Sequence, residues 1–517
     1  MVYQFNQITV DPGQYCLYQA DIPVSVEPLV FDLLVYLIEH RDRVVTRDEL
    51  LDKLWKGKVV SDAALGARIK DARKVTQDSG SRQGVIKTIH GRGYQFVAEV
   101  EESSTRDKRN HQVIWHFPEE LPLPEEPSIA ILPFTNMSGD PDQEFFSDGI
   151  TEDIITALSK IKNLLVIARS STAIYKDHPA DVTQVKREQG VRYVLEGSVR
   201  KSNDRVRVTA QLIDATTGFQ KWAENYDHEL EDIFAVQDDI TKNVAASLQV
   251  TLTEGEQARV FAGGTNSIEA WKCFVLGKAL LERHVKESNF EACKLIERAL
   301  QLDPGYVTAK AYLGYIHWEN WRYHWGESPE TSLDQAIEIG REALALEPNH
   351  ADSHAMLGYC YSTRGDLDLA LEMTEKAFVL APSHAFITAI SAAVLRQAGR
   401  LQDAISRIER AIRLCPFYPA WYLMVLGSSY HLLGDFDNAL LTLRESVRRE
   451  PESILILPWY LSALIESNDK EAPTVAADIM RIEPGFSRNN WAKPFGFKDP
   501  AVAVRLSKTL AKEGIPE

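Results

Sequence analysis

Cysteine is scarce in this chain of 517 residues, and its pattern excludes two classes of protein. The cysteines are odd in number and include no Cys-x-x-Cys pair, so we predict reduced thiols and neither a disulfide framework nor a zinc site. They are Cys16, Cys273, Cys293, Cys360 and Cys415. Long apolar runs are also missing, since none approaches the roughly 18 residues that a membrane span needs. The first residues lack the basic and apolar stretches of a secretion signal, so we expect a cytoplasmic protein without membrane contact.

Catalytic motifs are absent from the sequence as well. There is no Gly-x-x-x-x-Gly-Lys-Ser/Thr loop to hold a nucleotide phosphate, and Ser170 and His178 do not lie in a nucleophile elbow. Asp148, Glu152 and Asp153 recur at helical spacing, so a metal site formed by these carboxylates is one interpretation. Carboxylates in the first turns of a helix, however, more often complement its dipole. We therefore predict no catalytic residue, no cofactor and no bound metal, and hence no enzyme.

Positive charge is in deficit over the whole chain but is concentrated in one segment. The formal net charge is -17, from 57 Lys and Arg against 74 Asp and Glu. Between Lys56 and Arg92, however, nine basic residues stand against three acidic ones, a local balance of +6. Taken alone, such a run of charges indicates a solvated helix face. On an acidic protein it also favours a local anionic partner, and DNA fits the elements predicted for the segment.

A helix and a hairpin are predicted within this basic segment. Leu65, Ile69 and Ala72 recur at i, i+4 and i+7, which gives the helix of residues 61–75 one apolar face and leaves its basic side chains outside. Two alternating runs then flank the His-Gly-Arg-Gly of residues 90–93, whose glycines permit a tight hairpin tip.

Short strands and two further helices are predicted upstream. Residues 1–27 alternate and turn as strands do, and residues 29–38 have a mostly helical period. Thr46 and Glu49 form a capping box that starts another short helix. This order of elements, with Gly-Tyr-Gln-Phe directly after a basic helix, closely resembles the OmpR/PhoB-type winged helix-turn-helix.

The resemblance implies a role in DNA binding for eight residues. In that family the third helix enters the major groove, and the wing reaches the neighbouring minor groove and the phosphates. By resemblance, groove contacts are expected from Arg68, Lys70 and Arg73. Backbone or wing contacts are expected from Lys74, Lys87, Thr88, His90 and Arg92. The family usually carries a receiver domain before the winged helix, and since this sequence opens on the winged helix, phosphorelay control is not expected within the chain.

A linker and a compact α/β domain are predicted next. Residues 101–127 are rich in charge and proline and are typical of a linker. Residues 128–253 are predicted to contain a buried strand, an amphipathic helix, a three-stranded meander and a closing helix. The runs IAILPFTNMSGD, FFSDGITEDI and YVLEGSVR resemble the TolB amino-terminal type of domain. That module often lies between an output domain and helical repeats in bacterial regulators.

The last part of the chain repeats with a period of about 34 residues. Prolines recur at intervals of 44, 34, 34, 35 and 33, and an alanine stands twelve residues before each of them. The prolines are Pro304, Pro348, Pro382, Pro416, Pro451 and Pro484. This is the pattern of the tetratricopeptide repeat, in which small residues let paired helices approach closely. About six units are predicted over residues 267–484, with a capping segment in 485–517 and a groove suited to a protein partner. Trp318, Trp321, Tyr323 and Trp325 are interpreted as packing residues in preference to a recognition patch.

The sequence as a whole predicts a multidomain α+β protein. The expected order is a winged-helix domain in 1–100, the linker, the α/β domain and an all-α tetratricopeptide superhelix. Its architecture resembles HilA-type regulators and the cytoplasmic half of CadC-type activators. The expected function is DNA-binding transcription regulation, with double-stranded DNA, a protein partner in the repeat groove, RNA polymerase and a second copy on DNA as partners. A repeat scaffold associated with nucleotide-cyclase signalling is the alternative.

Overall fold

The computed structural model of the protein contains two compact units. The first is Met1–Val113 and the second is Ile114–Glu517. The described residues are 2–6, 8–11, 16–19, 22–24, 28–55, 62–76, 78, 83–89, 92–98, 100–103, 121–140, 143–176, 181–202, 204–250, 264–283, 285–325, 329–492 and 496–517. No helix among them combines the length and the apolar character needed to cross a membrane.

The first unit contains a winged helix. Its strands are β1 (Val2–Phe5), β2 (Ile8–Asp11), β3 (Cys16–Gln19), β4 (Ile22–Val24), β5 (Val45–Thr46), β6 (Ile86–Ile89), β7 (Gly93–Phe96) and β8 (Glu101–Ser103). Its helices are α1 (Pro28–Glu39), α2 (Arg47–Trp55) and α3 (Asp62–Val75). The strands form an antiparallel sheet of order β4-β3-β2-β1-β8 and a three-stranded sheet of order β5-β7-β6.

One hydrophobic core joins the helices of this unit to both sheets. Leu34 of α1 and Ile69 of α3 are buried together with Ile86 of the β6 strand. Phe5 of the first sheet meets Phe96 of the second edge-to-face, with ring centroids 4.9 Å apart. The predicted sequence of strands, helices and hairpin is therefore confirmed.

The predicted linker begins inside this unit, and there the prediction is wrong. Residues 101–103 form β8, which pairs antiparallel with β1 and places Glu102 opposite Tyr3. At the other end, the amide of Leu121 donates to the carbonyl of Arg187 at 3.0 Å, so residues 121–127 belong to the second unit. Backbone hydrogen bonding is not visible in a composition rich in charge and proline.

The middle domain is built on a six-stranded sheet. Its strands are β9 (Ser128–Ile131), β10 (Thr135–Asn136), β11 (Leu165–Val166), β12 (Tyr193–Ser202), β13 (Arg205–Asp214) and β14 (Gln220–Glu229). Its helices are α4 (Glu144–Ser159), α5 (Arg169–Thr172), α6 (Val182–Gln189) and α7 (Ile233–Ser247). The order is β11-β9-β12-β13-β14, with β10 also paired to β12. Pairing is parallel from β11 to β12 and antiparallel across the predicted meander of β12, β13 and β14.

Six helix pairs follow the middle domain in the described residues. They are α8 (Ile268–Leu281) with α9 (Lys286–Leu302), α10 (Val307–Arg322) with α11 (Pro329–Leu346), α12 (Ala351–Arg364) with α13 (Leu367–Leu380), α14 (Ala385–Gln397) with α15 (Leu401–Leu414), α16 (Ala420–Leu433) with α17 (Phe436–Arg449), and α18 (Leu457–Glu466) with α19 (Ala472–Ile482). Two helices close the chain, α20 (Arg488–Ala492) and α21 (Pro500–Ala511). A β-carbon added at Gly358 would lie 2.5 Å from the Thr374 side chain, which shows how closely α12 approaches α13.

The middle domain and the repeats share one hydrophobic core. Leu132, Leu165 and Val185 of the middle domain belong to the same cluster as Leu414 and Tyr418 of the repeats. From the sequence we predicted two separate domains within residues 128–484, because an apolar face identifies a buried surface but not the surface that covers it. In the structure the apolar faces of the middle domain and of the repeats cover each other.

Candidate nucleic-acid interface

Helix α3 turns an apolar face to the core and carries exposed lysines on the opposite face. Leu65, Ile69 and Ala72 are buried, as the i, i+4, i+7 spacing predicts. Lys70 and Lys74 are exposed. This division leaves the two lysines free to meet an anionic surface while the apolar stripe holds the helix in place.

Arg68 differs from the two lysines because it has a neighbour of opposite charge. Its guanidinium lies 3.5 Å from the carboxylate of Asp71, one turn further along α3. The Arg68 side chain is partly buried and that of Asp71 is half-exposed. An i,i+3 ion pair with one half-exposed partner contributes little to stability, so the pair with Asp71 is by itself a weak restraint on Arg68.

The wing adds further exposed cations to the same unit. Lys87 is exposed on β6, and Arg92 is exposed in the turn directly before β7. Thr88 is partly buried, and its amide donates to the Gln83 side chain at 2.9 Å. His90, the remaining predicted contact of the wing, lies outside the described residues.

Arg73 joins the helix to the wing. Its Nη2 donates to the carbonyl of Ile86 at 2.7 Å and to Oγ1 of Thr88 at 2.8 Å, and its Nε donates to the same Ile86 carbonyl at 3.2 Å. Two of the predicted DNA contacts, Arg73 and Thr88, are thus bonded to each other. A guanidinium that holds β6 against α3 fixes the position of the wing relative to the helix.

The connection from α3 to the wing is fixed by one carboxylate. Asp78 Oδ1 accepts from the amide of Gly84 at 2.9 Å, and Oδ2 accepts from the amides of Val85 at 2.9 Å and Ile86 at 3.0 Å. Carboxylates that accept several backbone amides are well stabilised in their ionised form. Asp78, which lies between Lys56 and Arg92 and is one of the three acidic residues of the basic segment, therefore organises the wing.

Gly93 is required where the wing returns to the sheet. Its φ is +149°, and a β-carbon there would collide with the carbonyl oxygen of Val45 on the paired strand β5. Glycine is the residue that permits so close an approach of two backbones. The steric limit at this position therefore explains why the Gly-Tyr-Gln-Phe motif begins with glycine.

The start of α2 is held by a hydrogen-bonded group of four side chains. The amide of Glu49 donates to Oγ1 of Thr46 at 3.2 Å, as the capping box predicts. The Glu49 carboxylate accepts from Arg43 at 2.9 and 2.5 Å and from the Tyr36 hydroxyl at 2.7 Å. Hydrogen bonds from Arg43, then from Tyr36, lower the pKa of Glu49 to about 2. Arg43 and Tyr36 were not identified from the sequence, because neither belongs to the capping motif.

The acidic patch considered in the sequence analysis lies in the interface between α4 and the first repeat. Glu152 accepts from Lys278 at 2.6 Å and lies 3.4 Å from Arg169. Although burial acts to raise it, these two cations hold the pKa of Glu152 below its ordinary value. Asp148 lies 2.7 Å from Lys176. The carboxylates are engaged by cations of the chain, and the described residues contain no group of three or more possible metal ligands.

Asp153, beside Glu152, is bonded to two neutral donors instead of a cation. Its Oδ2 accepts from the indole of Trp271 at 2.7 Å and from Gln237 at 3.0 Å. Burial raises the pKa of Asp153 to about 7. The first helix of the repeat array is therefore packed against the chain's own middle domain.

Further contacts continue this interface along the repeats. The hydroxyl of Ser383 donates to the carbonyl of Leu164 at 2.6 Å, and the amide of Ala168 donates to the carbonyl of Leu414 at 2.8 Å. Arg413 donates to the carbonyl of Gly190 at 2.6 Å. The fourth helix pair and the connection that precedes it are thus tied to the middle domain.

The tryptophan-rich stretch of the second repeat is largely packed. The Trp318 ring stacks on Tyr359 with centroids 4.4 Å apart, and its indole donates to Thr363 at 3.0 Å. Trp321 is partly buried against the same cluster. Tyr323, at 43% exposure, is stacked on Trp325 at 4.6 Å. Packing explains Trp318 and Trp321, whereas Tyr323 remains at the surface.

Comparison with known families agrees with this organisation. Residues 21–96 match the family model described as "Transcriptional regulatory protein, C terminal", and residues 125–243 match the "HilA/YgeH-like transcriptional regulator, second domain". Residues 340–372 and 391–454 match tetratricopeptide repeat models. The chain therefore combines an OmpR/PhoB-type winged helix, a HilA-like second domain and tetratricopeptide repeats. The resemblance of the middle domain to the TolB type stays a prediction.

Three curated relatives show how far the similarity extends. A Rhizobium meliloti protein named "Putative adenylate cyclase 3" is 40% identical over 293 residues, 54% of this chain and 50% of that protein. The phosphate regulon regulator PhoB of Klebsiella pneumoniae is 31% identical, over 19% of this chain and 42% of that protein. The transcriptional regulator HilA of Salmonella typhi is 21% identical, over 66% of this chain and 58% of that protein. The chain thus spans about half the length of the curated relatives it matches.

Proposed function

We propose that this protein is a sequence-specific DNA-binding transcription regulator. The observation that carries the proposal is the basic surface of the first unit, with Lys70 and Lys74 exposed on α3 and Lys87 and Arg92 exposed on the wing. The match of residues 21–96 to the regulatory-protein family and the relatives PhoB and HilA support it. Such a regulator acts where the bacterial chromosome lies, in the cytoplasm.

In this proposal the predicted contact residues divide into two groups. The exposed lysines and Arg92 bind phosphates, which supplies affinity that depends on salt. Arg68, on the same helix, contacts a base edge or phosphate in the groove. Arg73 and Thr88 act within the protein by holding the wing at the correct distance from α3. His90 remains a proposed wing contact.

The test is selection of genomic DNA fragments by the purified full chain. A Lys70→Ala/Lys87→Ala variant serves as the comparison, and Lys294→Ala, an exposed lysine of the repeats, is the matched control. We expect the wild type and the control to enrich the same fragments equally and the double variant to enrich them much less, because it has lost two phosphate contacts. Equal enrichment by all three proteins would show that the basic face of α3 and the wing does not select DNA.

The repeats are proposed to contact a protein partner through surface that the middle domain leaves open. Phe386 is 39% exposed and lies edge-on to Trp421 with ring centroids 6.1 Å apart. Trp421 is partly buried, so Phe386 is the exposed member of this pair, and an exposed aromatic side chain is a common anchor in protein interfaces. RNA polymerase is the partner expected for a transcription activator, and a second copy of the chain is expected on tandem DNA sites.

A repeat scaffold associated with nucleotide-cyclase signalling is the second candidate. The observation that favours it is the 40% identity to the Rhizobium meliloti relative, whose name refers to adenylate cyclase. Charge reversal of the basic face of α3 and the wing, as Lys70→Glu/Lys87→Glu, distinguishes the two. A regulator loses its DNA fragments in this variant, whereas a scaffold keeps the protein partners that it captures from a cell extract, and retention of all partners with no DNA fragment selected by the wild type would favour the scaffold.

A further inference from the structure

The end of the chain returns across the repeats and does more than cap the last helix pair. The loop of residues 496–499, here called the C-terminal loop, precedes α21 and reaches back to two earlier pairs. The amide of Lys498 donates to the carbonyl of Gln397, the last residue of α14, at 3.0 Å. A β-carbon added at Gly496 would lie 3.1 Å from the carbonyl oxygen of Ser362 in α12. The loop therefore lies against the first helices of the third and fourth pairs.

One aromatic side chain of the C-terminal loop contacts the first helix of the sixth pair. Phe497 meets Trp459 of α18 edge-on, with ring centroids 6.2 Å apart. Trp491 of α20 meets the same side chain at 5.4 Å, and the guanidinium of Arg396 lies 5.4 Å from its ring centre. Trp459 is fully buried. Phe497 is thus the part of the cover over Trp459 that the loop supplies.

Polar groups next to Trp459 and the loop are buried without all of their hydrogen bonds. The ring of His431 lies 5.9 Å from that of Trp459, and its Nε2 is 3.0 Å from the hydroxyl of Ser462. Nδ1 of His431 and Oε1 of Gln397 are buried, and no hydrogen-bond partner reaches them from the described residues. Buried polar atoms are nearly always bonded, because an unbonded one is costly. This surface therefore offers hydrogen bonds that the loop does not make.

The C-terminal loop is fastened more weakly than the helix that follows it. Nζ of Lys498 lies 3.6 Å from the carboxylate of Asp368, and the two side chains are 62% and 93% exposed. An ion pair so exposed contributes little to stability. Phe497 is only partly buried, whereas Leu506 and Leu510 of α21 are fully buried. The loop can therefore leave the surface while α21 remains packed.

We propose that the C-terminal loop is a releasable strap over a peptide-binding surface, and that a partner segment with an aromatic residue takes the place of Phe497 against Trp459. The loop shows the chemistry of that segment. It brings an aromatic ring for Trp459, then a backbone amide for the carbonyl of Gln397 and a basic side chain for Asp368. A polar side chain in the partner adds a bond to His431 that the loop lacks. Use of this surface by the protein partner of the repeats rests on the proposed function, whereas release of the loop does not.

Binding of a synthetic peptide to the full chain tests the surface. The peptide copies residues 493–502, Lys-Pro-Phe-Gly-Phe-Lys-Asp-Pro-Ala-Val, and carries a fluorophore for polarisation. In the wild type the tethered loop competes at high effective concentration, so we expect Phe497→Ala to bind the peptide about tenfold more tightly or better. Val504→Ala, which removes an exposed apolar side chain of α21, is the matched control and should bind as the wild type does. The same peptide with alanine in place of its second phenylalanine should not bind Phe497→Ala.

Hydrogen exchange of the unaltered chain is the second measurement, and it does not depend on the folding of a variant. A strap that opens by itself exchanges its amides ahead of the helices beneath it. We expect the amide of Lys498 to exchange about a hundredfold faster or more than the buried amides of α14.

Three results would each overturn the proposal. They are peptide binding by Phe497→Ala no tighter than by the wild type, equal binding of the two peptides, and exchange of Lys498 at the rate of the α14 amides. Because neither DNA nor a protein partner is present, these results are independent of whether the chain regulates transcription.

Discussion

Replacement of Arg73 by alanine separates a bracing role from a DNA contact. The guanidinium makes three hydrogen bonds to β6, two of them to the same carbonyl. A hydrogen bond to a charged group contributes about 1.5–3 kcal/mol, and partial exposure and the shared acceptor reduce the sum. We therefore expect Arg73→Ala to destabilise the first unit by about 2 kcal/mol. For a unit of this size that corresponds to a fall of about 8–16 °C in its melting temperature.

Calorimetry of the full chain measures this loss in the transition of the first unit. Lys70→Ala is the matched comparison, because Lys70 lies on the same helix and is exposed. We expect Lys70→Ala to leave the transition unchanged and to weaken DNA binding, whereas Arg73→Ala lowers the transition and weakens binding through a displaced wing. If Arg73→Ala left the transition unchanged and reduced the salt dependence of binding as Lys70→Ala does, the bracing role would be refuted.

Three further predictions concern the local structure of the two units. Gly93→Ala should destabilise the first unit by at least about 2 kcal/mol, because φ is positive at this position and the new β-carbon would meet the Val45 carbonyl. Gly66→Ala, which has open space around it in α3, should stabilise the unit by about 1 kcal/mol. Urea unfolding measures both changes, and equal effects of the two substitutions would contradict the steric argument. Because the folded pKa of Glu49 is about 2, below its ordinary 4.5, its contribution is present above pH 4.5 and is lost as the pH falls towards 2. Melting curves of Glu49→Gln between pH 4.5 and pH 2 should therefore show a smaller loss of stability than those of the wild type. The same loss of stability in the variant and the wild type would refute the role of Glu49. For Asp153 the folded pKa of about 7 lies above the ordinary 3.8, so its contribution to stability increases as the pH falls from 7 towards 3.8. Asp153→Asn keeps an acceptor for Trp271 and Gln237, and should remove this gain from the second unit; a variant that gains as much as the wild type would refute the assignment.

Local periodicity predicted the elements of the winged-helix unit correctly but not all of their contacts. The spacing of Leu65, Ile69 and Ala72 identified the buried face of α3, and Thr46 identified the start of α2. The sequence also indicated that Arg73 lies on the outer face. It could not indicate that Arg73 bonds to the Ile86 carbonyl thirteen residues later, because that contact depends on how the wing folds back.

The repeats were predictable for a similar reason, and their junction with the middle domain was not. Alanines such as Ala370 and Ala404 recur at fixed spacing because helices pack closely at those positions, and both are fully buried. Glu152 and Lys278, in contrast, are 126 residues apart and follow no period. Their contact results from two apolar surfaces that cover each other, and a single sequence does not show which surfaces meet.

The most direct test of the account is the salt dependence of binding to a selected DNA fragment. Affinity falls as salt rises, and each phosphate contact that is removed should make the slope of log affinity against log salt less steep by about 1. The account predicts a slope that is less steep by about 1 for Lys70→Ala, less steep by about 2 for Lys70→Ala/Lys87→Ala, and unchanged for Lys294→Ala. A slope that remains equal to that of the wild type in the double variant would contradict the assignment of α3 and the wing as the DNA-binding surface.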